Sequence, residues 1–116
     1  MALKDSLGKW GERYATYILA SQGFEILDLN LRTPAGEVDV LAKDDDCLVI
    51  CEVKTRRGSR AGVAGEAIDT GRVERLRRIA EHMLCEFGAM RSARVDAVLI
   101  DITESAIEHL HVKGLS

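Results

Sequence analysis

The chain has 116 residues but only one proline, three cysteines and five aromatic side chains. With 47% hydrophobic residues and no low-complexity tract, it is neither disordered nor collagen-like. Cys47, Cys51 and Cys85 are odd in number and lack C-x-x-C spacing, which excludes a disulfide miniprotein and argues against a zinc or redox site. Cys47 and Cys51 read instead as small core side chains of one strand, on the face of Val49. No apolar run approaches the roughly 18 residues that span a bilayer. Residues 1–6 show no secretory pattern, so a cytoplasmic protein with no membrane partner is expected. Trp10, Tyr14, Tyr17 and Phe24 all fall in segments that read as core, so no base-stacking platform is expected. A basic excess is missing too. The net charge of −3, taken alone, argues against a nucleic-acid partner.

The length suits one domain over residues 1–116, large enough to bury a core. Leu7, Trp10, Tyr14, Ala15, Ile18 and Leu19 recur at helical spacing, predicting a helix from Leu7 to Gln22 that Gly23 caps. Strands are predicted over Phe24–Asn30, Glu37–Lys43 and Cys47–Thr55, separated by a Thr33–Gly36 turn and an Asp44–Asp46 turn. The third is apolar on both sides and should be central in a covered sheet. A Gly- and Arg-rich loop runs from Arg57 to about Gly65. Gly62 and Gly65 match no phosphate-binding fingerprint. A second amphipathic helix follows from about Asp69 to Phe87, then strands over Arg94–Ile102 and Ala106–Val112, the last at an edge. The order αβββαββ describes a mixed α/β domain around one sheet.

Chemistry concentrates in Gly36-Glu37-Val38-Asp39-Val40 and Cys51-Glu52-Val53-Lys54-Thr55-Arg56. Alternation puts Glu37 with Asp39, and Glu52 with Lys54 and Arg56, each set on one face of its strand. Pairing the two strands across a four-residue loop, Lys43 to Asp46, sets Asp39 opposite Ile50 and Glu37 opposite Glu52. The acids and Lys54 then share a face. Crowded carboxylates raise one another's pKa unless a cation joins them. Their hard oxygens suit Mg²⁺ or Mn²⁺, and a lysine alongside can hold water near a phosphate. Such a face can equally be an ordinary solvated surface, yet it sits on the most apolar strand of the chain, where polar groups are costly. Glu12, at the border of the first helix's apolar stripe, is a further acid that helix packing could bring to the patch.

These residues carry a resemblance. Gly11-Glu12 with Ala15, Gly23-Phe24, Asn30, Arg32, the G-E-V-D run, the E-V-K-T-R run, the helix from Arg72 to Ala80 and Val95-Asp96 resemble the YraN-like family of small bacterial proteins. That family is assigned to the restriction-endonuclease-like fold and is distantly similar to archaeal Holliday-junction resolvases. The resemblance implies that Asp39 and Glu52 bind Mg²⁺ or Mn²⁺, that Lys54 assists the attacking water, and that Glu12 supports the metal. Glu37 would be an additional or supporting acid. Val38 stands where the motif's usual name has proline, Arg72 where many members have lysine, and Val95 where an aromatic residue is frequent.

The charge is uneven. Between Lys54 and Arg78 eight basic residues face three acids, a net +5, and the rest of the chain carries −8. Arginines in that segment can neutralise phosphates, and the expected contacts are Arg56, Arg57, Arg60 and, on the helix, Arg72. The reading is a metal-dependent endonuclease of structured or branched DNA (DNA rather than RNA), with a homodimer as an option. The alternative is a non-catalytic nucleic-acid-binding or assembly module that keeps the fold.

Overall fold

A computed structural model describes residues 3–58 and 68–116. Arg60 and most of the Gly- and Arg-rich loop lie outside the described residues. The elements are α1 (Leu3–Ser21), β1 (Glu25–Thr33), β2 (Gly36–Asp44), β3 (Cys47–Arg57), α2 (Thr70–Glu86), β4 (Ser92–Ile102) and β5 (Ile107–Val112). They follow the expected order. One mixed sheet runs β1-β2-β3-β4-β5, antiparallel except for the β3–β4 pair. That parallel pair needs a crossover, and α2 lies within it. Among the described residues, no helix is long and apolar enough to cross a membrane.

β3 is central and covered on both sides, as its two-sided apolar pattern requires. Val49 and Cys51 pack with Ala15, Ile18 and Leu19 of α1, whereas Leu48 and Ile50 pack with Leu76, Ile79 and Met83 of α2. Cys51 is fully buried beside Val49, and all three cysteines are free thiols. The helix ends follow from local chemistry. Gly23 takes φ +93° after α1, and Asp69 caps α2 by accepting a hydrogen bond from the Gly71 N–H at 2.9 Å.

Two expectations change. The β2–β3 hairpin turns through two residues, Asp45 and Asp46, because Asp45 adopts φ +53°, a left-handed conformation that aspartate tolerates. Asp44 therefore faces Cys47 and Leu41 faces Ile50. This register differs by two residues from a four-residue loop, so the paired side chains from Val40 to Asp44 keep their faces, and the pairing ends just before Asp39 and Glu52. The aromatic residues of α1 are not all core. Trp10 is 38% exposed and Tyr17 76% exposed, because the helix turns Ala15, Ile18 and Leu19 inward and leaves the Trp10–Tyr17 flank outside.

α1 meets the end of β3 at Gly11. A Cβ at this buried glycine would overlap the Thr55 hydroxyl, and that hydroxyl is itself buried without a hydrogen-bond partner among the described residues. The missing side chain lets α1 sit low on the sheet and bring Glu12 into the site. Gly11→Ala should destabilise the protein by about 1–3 kcal/mol through overpacking. In Gly11→Ala/Thr55→Ala part of that loss should return, as a double-mutant cycle by thermal unfolding would measure. Additive losses would place the strain elsewhere.

Candidate active site

The β2–β3 ladder runs from Asp44↔Cys47 to Val40↔Cys51 and stops there. Beyond it the Val53 N–H donates to Asp39 Oδ2 at 2.9 Å. A buried strand N–H must find an acceptor, and here a side chain supplies it. The alternation of β2 breaks at the same place. Val40 packs in the α1 layer, while Val38 packs with Leu41 in the α2 layer. β1 distorts in step, with a register shift between Ile26 and Asp28 and with Asn30 at φ +53°.

Three acids from three elements meet at this distortion. Asp39 lies close enough to Glu52 and Glu12 for the three carboxyl groups to act on one another, and Asn30 lies beside Glu12. Burial first, then the Glu52 and Glu12 charges, push the Asp39 carboxyl up to about 8, although the Val53 N–H works against them. Glu12 is also raised, chiefly by burial and then by the charges of Glu37 and Glu52, with Asn30 and Asp39 opposing.

Arg72 supplies a counter-charge. Its Nε donates to Glu52 Oε2 at 2.9 Å and its Nη2 to Glu52 Oε1 at 3.2 Å, and Nη2 also reaches the Glu37 carbonyl at 3.0 Å. The fork on Glu52 holds the guanidinium pKa above its usual value. Arg72, expected at a phosphate, thus points into the site and braces a strand acid. Glu37 itself is exposed, and its carboxylate acts on Glu12 through its charge.

Lys54 follows Glu52 by two residues and is half-buried. It lines a groove of about 400 Å³ together with Leu7, Gly8, Val53, Thr55, Arg56 and Arg57. Arg56 and Arg57 are exposed at the end of β3. The structure therefore brings Glu12, Asp39, Glu52 and Arg72 together, with Lys54 at the rim next to the two arginines.

Among the described residues, no group of three or more His, Cys, Asp or Glu side chains forms a ready metal cage. The donor set fits a looser ligand. Mg²⁺ keeps several waters and binds through one or two carboxylates plus substrate phosphate. Asp39 and Glu52 supply two carboxylates, and the Arg72 fork uses only two of the roughly four acceptor positions on Glu52.

Two features lay outside the sequence reading. Asn30 was visible only as part of a resemblance, yet it lies beside Glu12 with a left-handed backbone; asparagine is a residue type that tolerates this geometry. The other is a buried network on Asp96. Asp96 lies 2.8 Å from His111 Nε2, accepts from Arg94 at 2.9 Å and accepts from the Gly114 N–H at 3.0 Å. Burial raises the Asp96 pKa, but these three partners outweigh it and hold the acid below its usual range. An acid in an apolar strand was the available signal, but its histidine partner lies 15 residues away. The network joins β4, β5 and the last residues of the chain.

A model of "Uncharacterised protein family UPF0102" matches residues 11–100. The chain is similar to UPF0102 proteins from Kineococcus radiotolerans (42% identity over 97% of this chain and 95% of the relative) and Beutenbergia cavernae (40%, over 98% and 100%). Another, from Frankia alni, is 43% identical over 95% of each chain.

The raised Asp39 pKa has a signed consequence. Such an acid holds its proton more tightly folded than unfolded, so stability falls as pH rises from the ordinary 3.8 to about 8 and then levels off. Asp39→Asn removes this slope while keeping an acceptor for the Val53 N–H. In metal-free buffer the variant should gain thermal stability relative to the wild type across that window. A difference that stays constant with pH would contradict this account.

Proposed function

This chain belongs to the uncharacterised protein family UPF0102, and from that premise we propose that it is a Mg²⁺- or Mn²⁺-dependent endonuclease of structured or branched DNA. The observation that carries this reading is the hydrogen bond from the Val53 N–H to Asp39 Oδ2, which holds Asp39 beside Glu52 at the splayed end of β2 and β3, with Lys54 two residues further along. The mixed sheet, with one helix on each face, agrees with the restriction-endonuclease-like fold that the YraN-like resemblance implies.

Asp39 and Glu52 would hold the ion, and Glu12 would support it through Asp39. A divalent ion there supplies Lewis-acid polarisation of a phosphoryl oxygen and a more acidic bound water. The protein's own part is separable. The Val53 N–H aims Asp39, and Arg72 fixes the Glu52 carboxylate. Lys54 places a positive charge where negative charge develops on the phosphate. Arg56 and Arg57 offer backbone phosphate contacts beyond it.

The Arg72 fork favours a second reading. Because Glu52 already has a counter-ion, the site is stable without metal, as a non-catalytic nucleic-acid-binding module would need. Incubation with linear and branched DNA in Mg²⁺ or Mn²⁺ separates the two. The wild type should cleave, and Asp39→Ala, Glu52→Gln and Lys54→Ala should each lose about 100-fold or more of the rate. Absence of metal-dependent cleavage, or equal cleavage by the variants, rejects the enzyme. DNA binding that survives in those variants but falls in Arg56→Ala/Arg57→Ala, with a steep salt dependence, would then identify the module.

A further inference from the structure

Trp10 stacks on Tyr14 with ring centroids 5.1 Å apart and planes within 10°. Tyr14 in turn meets the His109 ring of β5 edge-on, at 6.1 Å. The stack stands at the surface, with Trp10 38% exposed and Tyr17, one turn beyond Tyr14, 76% exposed. A chain with five aromatic residues thus puts three of them along one partly exposed flank of α1. Large aromatic surface left in water is costly and marks a binding surface more often than chance does.

The charge around the stack selects the occupant. Lys9 and Arg13 are exposed on the same helix. Glu12 is the only acid from Ser6 to Ser21, and it is turned away to Asn30 and Asp39. Position matters too. An α-helix with its side chains is about 10–12 Å across, which is about three nucleotides of stacked strand at 3.4 Å each. Glu12, on the opposite flank of the same turn, belongs to the candidate active site. The groove lined by Leu7, Gly8 and the Val53–Arg57 end of β3 runs beside that turn.

We propose that the Trp10–Tyr14 stack is a binding surface for unpaired bases of a nucleic acid whose backbone follows the Lys54–Arg57 groove. The inference rests on the nucleic-acid reading of the site but not on cleavage. It reverses the expectation of pure duplex-backbone recognition, and it narrows the substrate to structures with single-stranded character at the point of attack. Every base has a face to stack, so the surface would tolerate any sequence.

Trp10 is the sole tryptophan, so its own emission reports the contact. In chelator, where no cleavage occurs, an unlabelled oligothymidylate should quench that emission saturably and a blunt duplex of equal length should not. Trp10→Ala should weaken oligothymidylate binding, read by anisotropy, by about ten-fold or more, and Trp10→Phe should retain most of it. Equal binding by Trp10→Ala, or no quenching, overturns the proposal. So does a sedimentation mass that falls in Trp10→Ala while oligothymidylate leaves the emission unchanged, because the flank is then covered by a second copy of the chain. Quenching by a protein that cleaves no DNA upholds the stacking surface and rejects only the enzyme.

Discussion

Asp39 accepts a hydrogen bond from the Val53 N–H, and much of this molecule is arranged around that bond. It stands where a further rung of the β2–β3 ladder would otherwise be. A backbone carbonyl in that place would continue the ladder and leave Asp39 as an ordinary side chain. With the carboxylate there instead, the strands part after Val40 and Cys51, Val38 turns into the α2 layer, and Asn30 adopts a left-handed conformation on the neighbouring strand. The same bond keeps Asp39 inside the site. Burial and neighbouring charge disfavour an ionised carboxylate there, but the strand N–H holds it in place.

Around that fixed acid the charges are balanced only in part. Arg72 answers Glu52 with a two-pronged bridge, whereas burial first, and then neighbouring negative charge, raise the pKa values of Asp39 and Glu12. Asp39 therefore keeps a proton up to about pH 8. A divalent ion would replace that proton while leaving oxygens free for water and phosphate. The same architecture makes the site tolerant of the metal-free state, because the arginine already braces one of the two strand acids. The overall charge of −3 conveys none of this, since it averages the few acids of the site and the basic Lys54, Arg56 and Arg57 beside it with the rest of the chain.

Much of the fold was legible because its signals are local. Two-sided apolarity marked β3 as central, helical spacing marked α1 and α2, and Gly23 and Asp69 marked helix ends. The hairpin register expected from a four-residue loop was off by an even number of residues, so the paired side chains from Val40 to Asp44 kept their faces. What escaped depends on tertiary placement. Helical spacing alone could not say that Trp10 and Tyr17 lie outside, because the stripe containing Trp10 and Tyr14 is wider than the surface α1 covers. Arg72 looked like one of several helix arginines until the fold brought Glu52 to it, twenty residues back in sequence. Asp96 and His111 meet only through the β4–β5 pairing.

At the centre of the proposed function is a carboxylate pair, Asp39 and Glu52, that would take a divalent cation. Titration of Mn²⁺ into the protein, followed by the loss of the free-ion electron paramagnetic resonance signal, tests it without requiring a substrate. The account predicts saturable binding that Asp39→Asn and Glu52→Gln each abolish or weaken by at least about ten-fold, with both variants remaining folded. Mn²⁺ binding unchanged in both variants, or none in the wild type, would contradict it.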